Sequence, residues 1–404
     1  MWEDQGLANV EFFDPQKVGS KDAFQAANFK LMTADFVLFL NRPNDFVKHR
    51  VRDITFLSPA TTAPYGDLKR PPSIIWSIDD NYHWVHPLNP SFQYNGYQLL
   101  DGTILKNDDV VAIQTSDGGR EVVWKAGVRY NNEVFRPEDN RKGIKEMDDL
   151  IKDHALQVAF SSPRLEQFYR EEIGYPSTTF FPNCINLPDY FGLLDSAFTR
   201  NTKHVRVLWQ GGASHFQDLY PLKEPLKRCL GRNRNLQLIV WGQLYTWITR
   251  EIPDDQFVFI PWVAYDAYKP LLCMMDYDFA IAPLVDNPFN QGKSCIKVYE
   301  SAATPHPKPT LAARVPPYSD EFEDGVTAVL YDPRDPKEFE DKFERLAGDP
   351  EGRKRIGENC REWIREHRDA ATWSKTWFEQ LMELRGKGTE PNPGLADLIE
   401  VARR

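Results

Sequence analysis

Apolar runs closed by polar or glycine-containing turns recur along the chain, most regularly in its second half. Segments 205–211, 236–242, 256–262, 278–283, 309–313 and 328–331 are short, rich in Val, Ile, Leu, Phe, Trp and Ala, and bounded by turn formers. Runs of that kind mark strands covered on both faces. Between them lie stretches with helical spacing, such as Leu222, Leu226 and Leu230, and a later one holding Leu271 and Leu272. Strand and helix in alternation predict a parallel, doubly wound sheet. Further on, 336–347 and 352–366 alternate charged and apolar residues like surface helices, and Trp373, Trp377, Leu381 and Leu384 form one last stripe suited to a docked helix. The tail after Arg385, containing GKGTEPNPG, reads as mobile.

The first half repeats the pattern less cleanly. Strands are expected at 34–43, 73–78, 156–163 and 178–185. The sequence Ser161-Ser162-Pro163 puts a serine near the N-cap and a proline at the first position of a helix over 164–173. From 88 to 148 the rhythm fails: β-like pieces at 110–114 and 121–124 stand among the turn signals Asp101-Gly102, Asp117-Gly118-Gly119 and Asn131-Asn132. They predict an insertion built as a pair of hairpins over a cleft. A linker at 186–203 then separates an N-terminal domain, 1–200, from a second, 201–365, with a closing helix and tail at 366–404.

Composition narrows the class. The 404 residues suffice for two domains, and a net charge of −10, from 59 acidic and 49 basic side chains, argues against a protein whose main task is gripping nucleic-acid backbone, while a local basic groove stays open. The five cysteines are scattered without a C-x-x-C pair, as in reduced thiols of a cytoplasmic protein without a zinc framework. No secretory h-region and no apolar stretch of roughly 20 residues is visible, so a soluble protein without integral membrane contact is expected.

Candidate chemistry concentrates at 283–303, PLVDNPFNQGKSCIKVYESAA. A strand runs into a polar loop and then a helix expected from about Ser294, the arrangement by which open α/β sheets hold anions. Lys293 and Ser294 stand at the helix mouth, and Lys297 and Glu300 share one face of it. Two cations, a hydroxyl, free amides and a carboxylate suit a nucleotide-sugar, with phosphates at the helix start and the ribose one turn further in. A second phosphate-facing turn is expected at Gly211-Gly212, where paired glycines let the backbone approach a diphosphate, with His215 donating to a phosphate or a sugar hydroxyl. In the first half, Arg42, Asp79, Asp80, His83 and Asn183 fall at strand ends and are the acceptor-side candidates. Only one of Asp79 and Asp80 can face a cleft, and the pair equally suits turn chemistry. Being adjacent, they are not read as metal ligands.

Several segments together resemble the GT-B glycosyltransferases, and the second half their family-4-type members. They are WQGGASHFQD at 209–218, IAPLVDNPFN at 281–290, Lys293-Ser294, IKVYE at 296–300 and DGVTA at 324–328, supported by IDD at 78–80, SSP at 161–163 and FPNCI at 181–185. The resemblance spans nearly all of 155–385. It implies two Rossmann-like domains facing a central cleft, with a C-terminal helix returning to the first. It also implies transfer of a sugar from a nucleotide-sugar, most often a UDP-sugar, to a hydroxyl acceptor, with retention and without a metal or other cofactor. By that resemblance Gly211, Gly212, His215, Asn290, Gly292, Lys293, Ser294, Lys297 and Glu300 bind the donor. Lys297 neutralises the diphosphate, Ser294 meets a phosphate, and Glu300 binds the ribose as the second glutamate of an E-x7-E pattern. The first glutamate of that pattern falls on Gly292, so the amides of residues 291–293 are expected to contact the donor sugar instead. Should the reaction invert, Asp80 or His83 is the candidate base. The acceptor stays open among glycan, lipid-linked sugar, protein, small molecule and modified DNA base. A nucleotide-sugar epimerase and a non-catalytic sugar- or partner-binding protein are the alternatives.

Overall fold

The computed structural model describes residues 5–10, 34–40, 47–49, 51, 72–85, 97–98, 104–105, 112–114, 121–123, 129–130, 133–134, 137–191 and 204–385. Arg42, most of the expected linker and the tail after Arg385 lie outside them. Packing divides the chain into two units, the first containing residues 145–182 and 371–385 with the earliest strands, the second residues 183–370 together with 81–144.

The sheet of the first unit is parallel, with β1 (Phe36–Leu40), β2 (Ser73–Ile78), β3 (Ala155–Phe160) and β4 (Thr178–Phe180) in that order. In β2, Ile74, Ile75, Trp76 and Ile78 are all buried, which explains why its sequence is almost continuously apolar. Helix α1 (Pro137–His154) leads into β3 and was not expected from the sequence. It buries Ile144, Met147 and Ile151, a narrow stripe in an otherwise charged segment, and its Asp148 accepts a 2.8 Å hydrogen bond from the Tyr175 hydroxyl. The Ser162 hydroxyl caps α2 (Pro163–Phe168) by accepting from the Leu165 amide, with Pro163 in the first turn as expected. Helix α9 (Ala370–Arg385) buries Trp377 and Leu381 beside Ile75 and Ala159, and the Trp377 indole donates to Gln157 at 2.9 Å. Leu384, placed on the same stripe by its spacing, is 43% exposed instead.

In the second unit six parallel strands pair in the order β7-β6-β5-β8-β9-β10: β5 (Val205–Gly211), β6 (Leu236–Gly242), β7 (Phe257–Ile260), β8 (Phe279–Ala282), β9 (Thr310–Ala313) and β10 (Val329–Tyr331). Every residue of β8, β9 and β10 is buried, so this part of the sheet is covered on both faces, while the edge strand β7 leaves Phe259 exposed. Helix α3 (Lys223–Arg232) buries Leu226 and Leu230 on its expected stripe, and α4 (Tyr265–Met274) follows β7. The loop after β8 holds a single-turn helix, α5 (Pro288–Gln291), before α6 (Ile296–Ala303). Helices α7 (Pro336–Gly348) and α8 (Pro350–His367) start on the side-chain caps Asp335 and Asp349. A buried ion pair ties α8 to the start of β8: Arg353 meets Asp278 at 3.0 Å, and the other carboxylate oxygen of Asp278 accepts from the Arg206 amide. The expected insertion contains three short antiparallel pairs where two hairpins were expected, and each turn signal falls between paired strands: Tyr97–Gln98 with Ile104–Leu105, Ala112–Gln114 with Glu121–Val123, and Arg129–Tyr130 with Glu133–Val134.

Candidate functional site

The strand order of the second unit reverses between β5 and β8, and open α/β sheets hold ligands at the carboxyl ends of strands flanking such a point. The loops leaving those two ends are 211–218 and 283–296, the segments singled out from the sequence.

At the end of β5 the backbone is crowded. Gly242, paired with Gly211, has φ +108°, and a Cβ on it would lie 2.6 Å from the Gly211 carbonyl oxygen. A side chain there is excluded both by conformation and by contact. The Gly212 carbonyl accepts from the Tyr245 hydroxyl and the His215 amide, both at 3.0 Å, so this turn is held in one shape. His215 Nδ1 lies 2.8 Å from an oxygen of Asp218. Burial, then the nearby charge of Lys297, pushes the His215 pKa down to about 4, so the imidazole is neutral at ordinary pH. Asp218 fixes Nδ1 as the protonated nitrogen and leaves Nε2 as an acceptor. With Nδ1 turned to Asp218, the neutral ring offers Nε2 as an acceptor.

Asp218 was not singled out in the sequence. Its second oxygen accepts from the Val285 amide at 3.0 Å and from Asn290 Nδ2 at 2.7 Å, so it joins both loops. Burial alone would raise its pKa; the His215 hydrogen bond and the Val285 amide more than offset that and hold the carboxyl below its usual range. Asn290 spends both amide hydrogens on Asp218 and the Val285 carbonyl, which makes it a brace between the loops.

The helix start differs in detail from expectation. The amides of Gln291, Gly292 and Lys293 donate to the carbonyls of Asn287, Phe289 and Asn290, closing the turn of α5. They are therefore not free for a donor sugar, which corrects that expectation. Further on, Cys295 is the N-cap of α6 and gives no side-chain cap; the Val298 amide turns back to the Cys295 carbonyl, which leaves the amides of Ile296 and Lys297 as the uncapped ones of the first turn among the described residues. Ser294 Oγ accepts from Asn183 Nδ2 at 2.7 Å, which leaves the hydroxyl hydrogen to donate. Asn183, expected on the acceptor side, thus supports the helix start. The Lys293 ammonium lies over the Phe289 ring, 4.4 Å from its centroid.

Lys297 and Glu300 follow on α6. Lys297 is half-buried, and its ammonium has no hydrogen-bond or ion-pair partner among the described residues. Burial, with Lys293 assisting, lowers its pKa to about 8 against the opposing pull of Asp218 and Glu300. Glu300 shifts the other way, to about 7, because burial outweighs the hydrogen bond of Tyr268 and the charges of Lys269 and Lys297. One oxygen, Oε2, takes both of its contacts: the Tyr268 hydroxyl at 2.7 Å and Gln210 Nε2 at 3.5 Å.

Of the remaining candidates, His83 belongs to the second unit, where its turn packs against α5. Asp79 and Asp80 follow β2 in the first unit, Asp79 exposed and Asp80 half-exposed. His83 sits in a short 3-10 turn whose cap, Asn81, accepts from the His83 amide at 3.2 Å. All five cysteines are free thiols, and among the described residues no cluster of His, Cys, Asp or Glu is arranged to hold a metal ion. No described helix is long and apolar enough to cross a membrane.

Residues 222–379 match the family model described as "Glycosyl transferase-like". No curated protein sequence matches the chain. Among solved structures, sucrose-phosphate synthase from Thermosynechococcus elongatus superposes with a TM-score of 0.53 at 13% identity, covering 93% of this chain and 81% of that one. Anabaena Alr3699/HepE in complex with UDP and glucose gives 0.53 at 14% identity over 94% and 88% of the two chains. The α,α-trehalose 6-phosphate synthase of Burkholderia multivorans gives 0.54 at 11% identity over 94% and 79%. At such identities the likeness is one of fold.

Proposed function

We propose that this chain, a GT-B-fold protein carrying a glycosyl transferase-like domain, transfers a sugar from a UDP-sugar to a hydroxyl acceptor. One observation carries the reading: Lys297, a desolvated cation without a protein partner among the described residues, stands in the first turn of a helix that has no side-chain cap. A diphosphate would give the Lys297 ammonium the direct anionic partner that neither Asp218 nor Glu300 provides among the described residues. The similar Anabaena protein was solved with UDP and with UDP-glucose, which favours the uridine nucleotide.

When the anomeric carbon leaves the donor, charge gathers on the β-phosphate oxygens, and groups aimed there lower the barrier. A charge-assisted hydrogen bond from Lys297 contributes about 1.5–3 kcal/mol. The start of α6 adds about 0.3–1 kcal/mol, so the lysine dominates. The Ser294 hydroxyl gives a further donor, and charge supplied this way removes the need for a metal. Glu300 accepts from the ribose hydroxyls through Oε1, and His215 accepts from a hydroxyl of the transferred sugar. With retention the leaving diphosphate takes the acceptor's proton. With inversion a base is required, and Asp80 and His83 are the candidates. The acceptor class is left to experiment.

UDP release from a panel of UDP-sugars, with and without candidate acceptors, tests this. Release that depends on acceptor supports transfer. Acceptor-independent release points to an epimerase, and no release from any donor contradicts an enzymic role.

A further inference from the structure

The donor reading leaves Glu300 with a problem that Tyr268 solves. A glutamate has three side-chain torsions, and a buried one pulled toward several positive or hydroxyl groups has no unique orientation unless something fixes it. Here Tyr268, Lys269 and Lys297 all act on this carboxylate. Of these, Tyr268 makes the direct hydrogen bond, 2.7 Å to Oε2. Its own ring is held in turn, because it lies against Trp241 at the end of β6 with centroids 5.0 Å apart. The Gln210 side chain flanks the pair, 3.0 Å from the phenol and 3.5 Å from the carboxylate. Both contacts fall on one oxygen, so the other is left to a ligand.

We infer that Tyr268 is a positioning residue for nucleotide recognition: by holding Glu300 through Oε2 it presents Oε1 to the vicinal hydroxyls of the donor's ribose. This rests on the reading of Glu300 as the ribose-binding carboxylate. Pre-orienting the acceptor removes an ordering cost from binding. Nothing in the sequence pairs these residues, which are 32 positions apart and on separate helices.

The test compares UDP with 2′,3′-dideoxy-UDP by calorimetry in the wild type, Tyr268→Phe and Glu300→Gln. The wild type should prefer UDP by about tenfold, the scale of one hydrogen bond to a charged group. Tyr268→Phe keeps the ring and loses the hydroxyl; it should weaken UDP about tenfold, leave the dideoxy analogue unchanged, and add nothing further to Glu300→Gln. A retained dideoxy affinity also shows that the variant is folded. Equal weakening of both ligands, or an undiminished preference for UDP in Tyr268→Phe, overturns the positioning role while sparing the donor assignment. A wild type that does not bind UDP overturns the donor assignment itself.

Discussion

Lys297 and Glu300 lie one turn apart on α6 without forming an ion pair, and burial displaces them oppositely, Lys297 down to about 8 and Glu300 up to about 7. Glu300 is turned to Tyr268 and Gln210, and the Lys297 ammonium is left unpartnered among the described residues. Burial makes each costly to ionise, and on the proposed reading each gains a partner when a nucleoside diphosphate binds.

The pH dependence follows with its sign. A carboxyl whose folded pKa is raised disfavours its charged form, so Glu300 costs stability as pH rises from its usual range through about 7. A lysine whose folded pKa is lowered binds its proton less tightly when folded, so Lys297 costs stability as pH falls from its usual range through about 8. On the proposed reading UDP needs Lys297 charged and Glu300 ionised. Affinity should therefore peak between about 7 and about 8 and decline on both sides. Lys297→Arg should flatten the alkaline limb, since a guanidinium stays protonated there, and Glu300→Gln should remove the acidic one. Calorimetric titration across pH checks this; a flat profile in the wild type contradicts it.

Gly242→Ala should be among the more damaging small substitutions. Its φ of +108° disfavours any side chain, and the added carbon would meet the Gly211 carbonyl at 2.6 Å. The expected loss is about 1–3 kcal/mol in urea unfolding, with weaker UDP binding because Gly211 must move. Wild-type stability in the variant would show that the glycine is incidental.

Arg353→Met should destabilise the protein by about 3–5 kcal/mol, because it strands the buried Asp278 carboxylate. Adding Asp278→Asn should recover part of that loss. The same unfolding measurements decide, and additive losses from the two substitutions would contradict the pairing.

Much of the second unit was legible because strands such as β8, β9 and β10 are covered on both faces and so read as continuous apolar runs. The cap at Ser162-Pro163 was legible because one hydroxyl and one missing N–H suffice to start a helix. Helix α1 escaped because only a thin stripe, Ile144, Met147 and Ile151, is apolar within a charged segment. In the site, Lys297 and Glu300 were visible as a one-turn pair on a helix after a strand. Asp218 and Tyr268 were not, since an aspartate near a helix start reads as a cap and a tyrosine on an amphipathic helix reads as core. Their contacts join residues 72 and 32 positions apart, a relation that only the sheet order creates. The amides of residues 291–293 were misread because the turn of α5, which consumes them, is only four residues long.

The central claim, that Lys297 is the cation for the donor's diphosphate, is tested most directly by titrating the wild type and Lys297→Ala with UDP and with uridine. UDP should bind the variant weaker by about 1.5–3 kcal/mol while uridine binds both alike. Unaltered UDP affinity in Lys297→Ala would contradict the account.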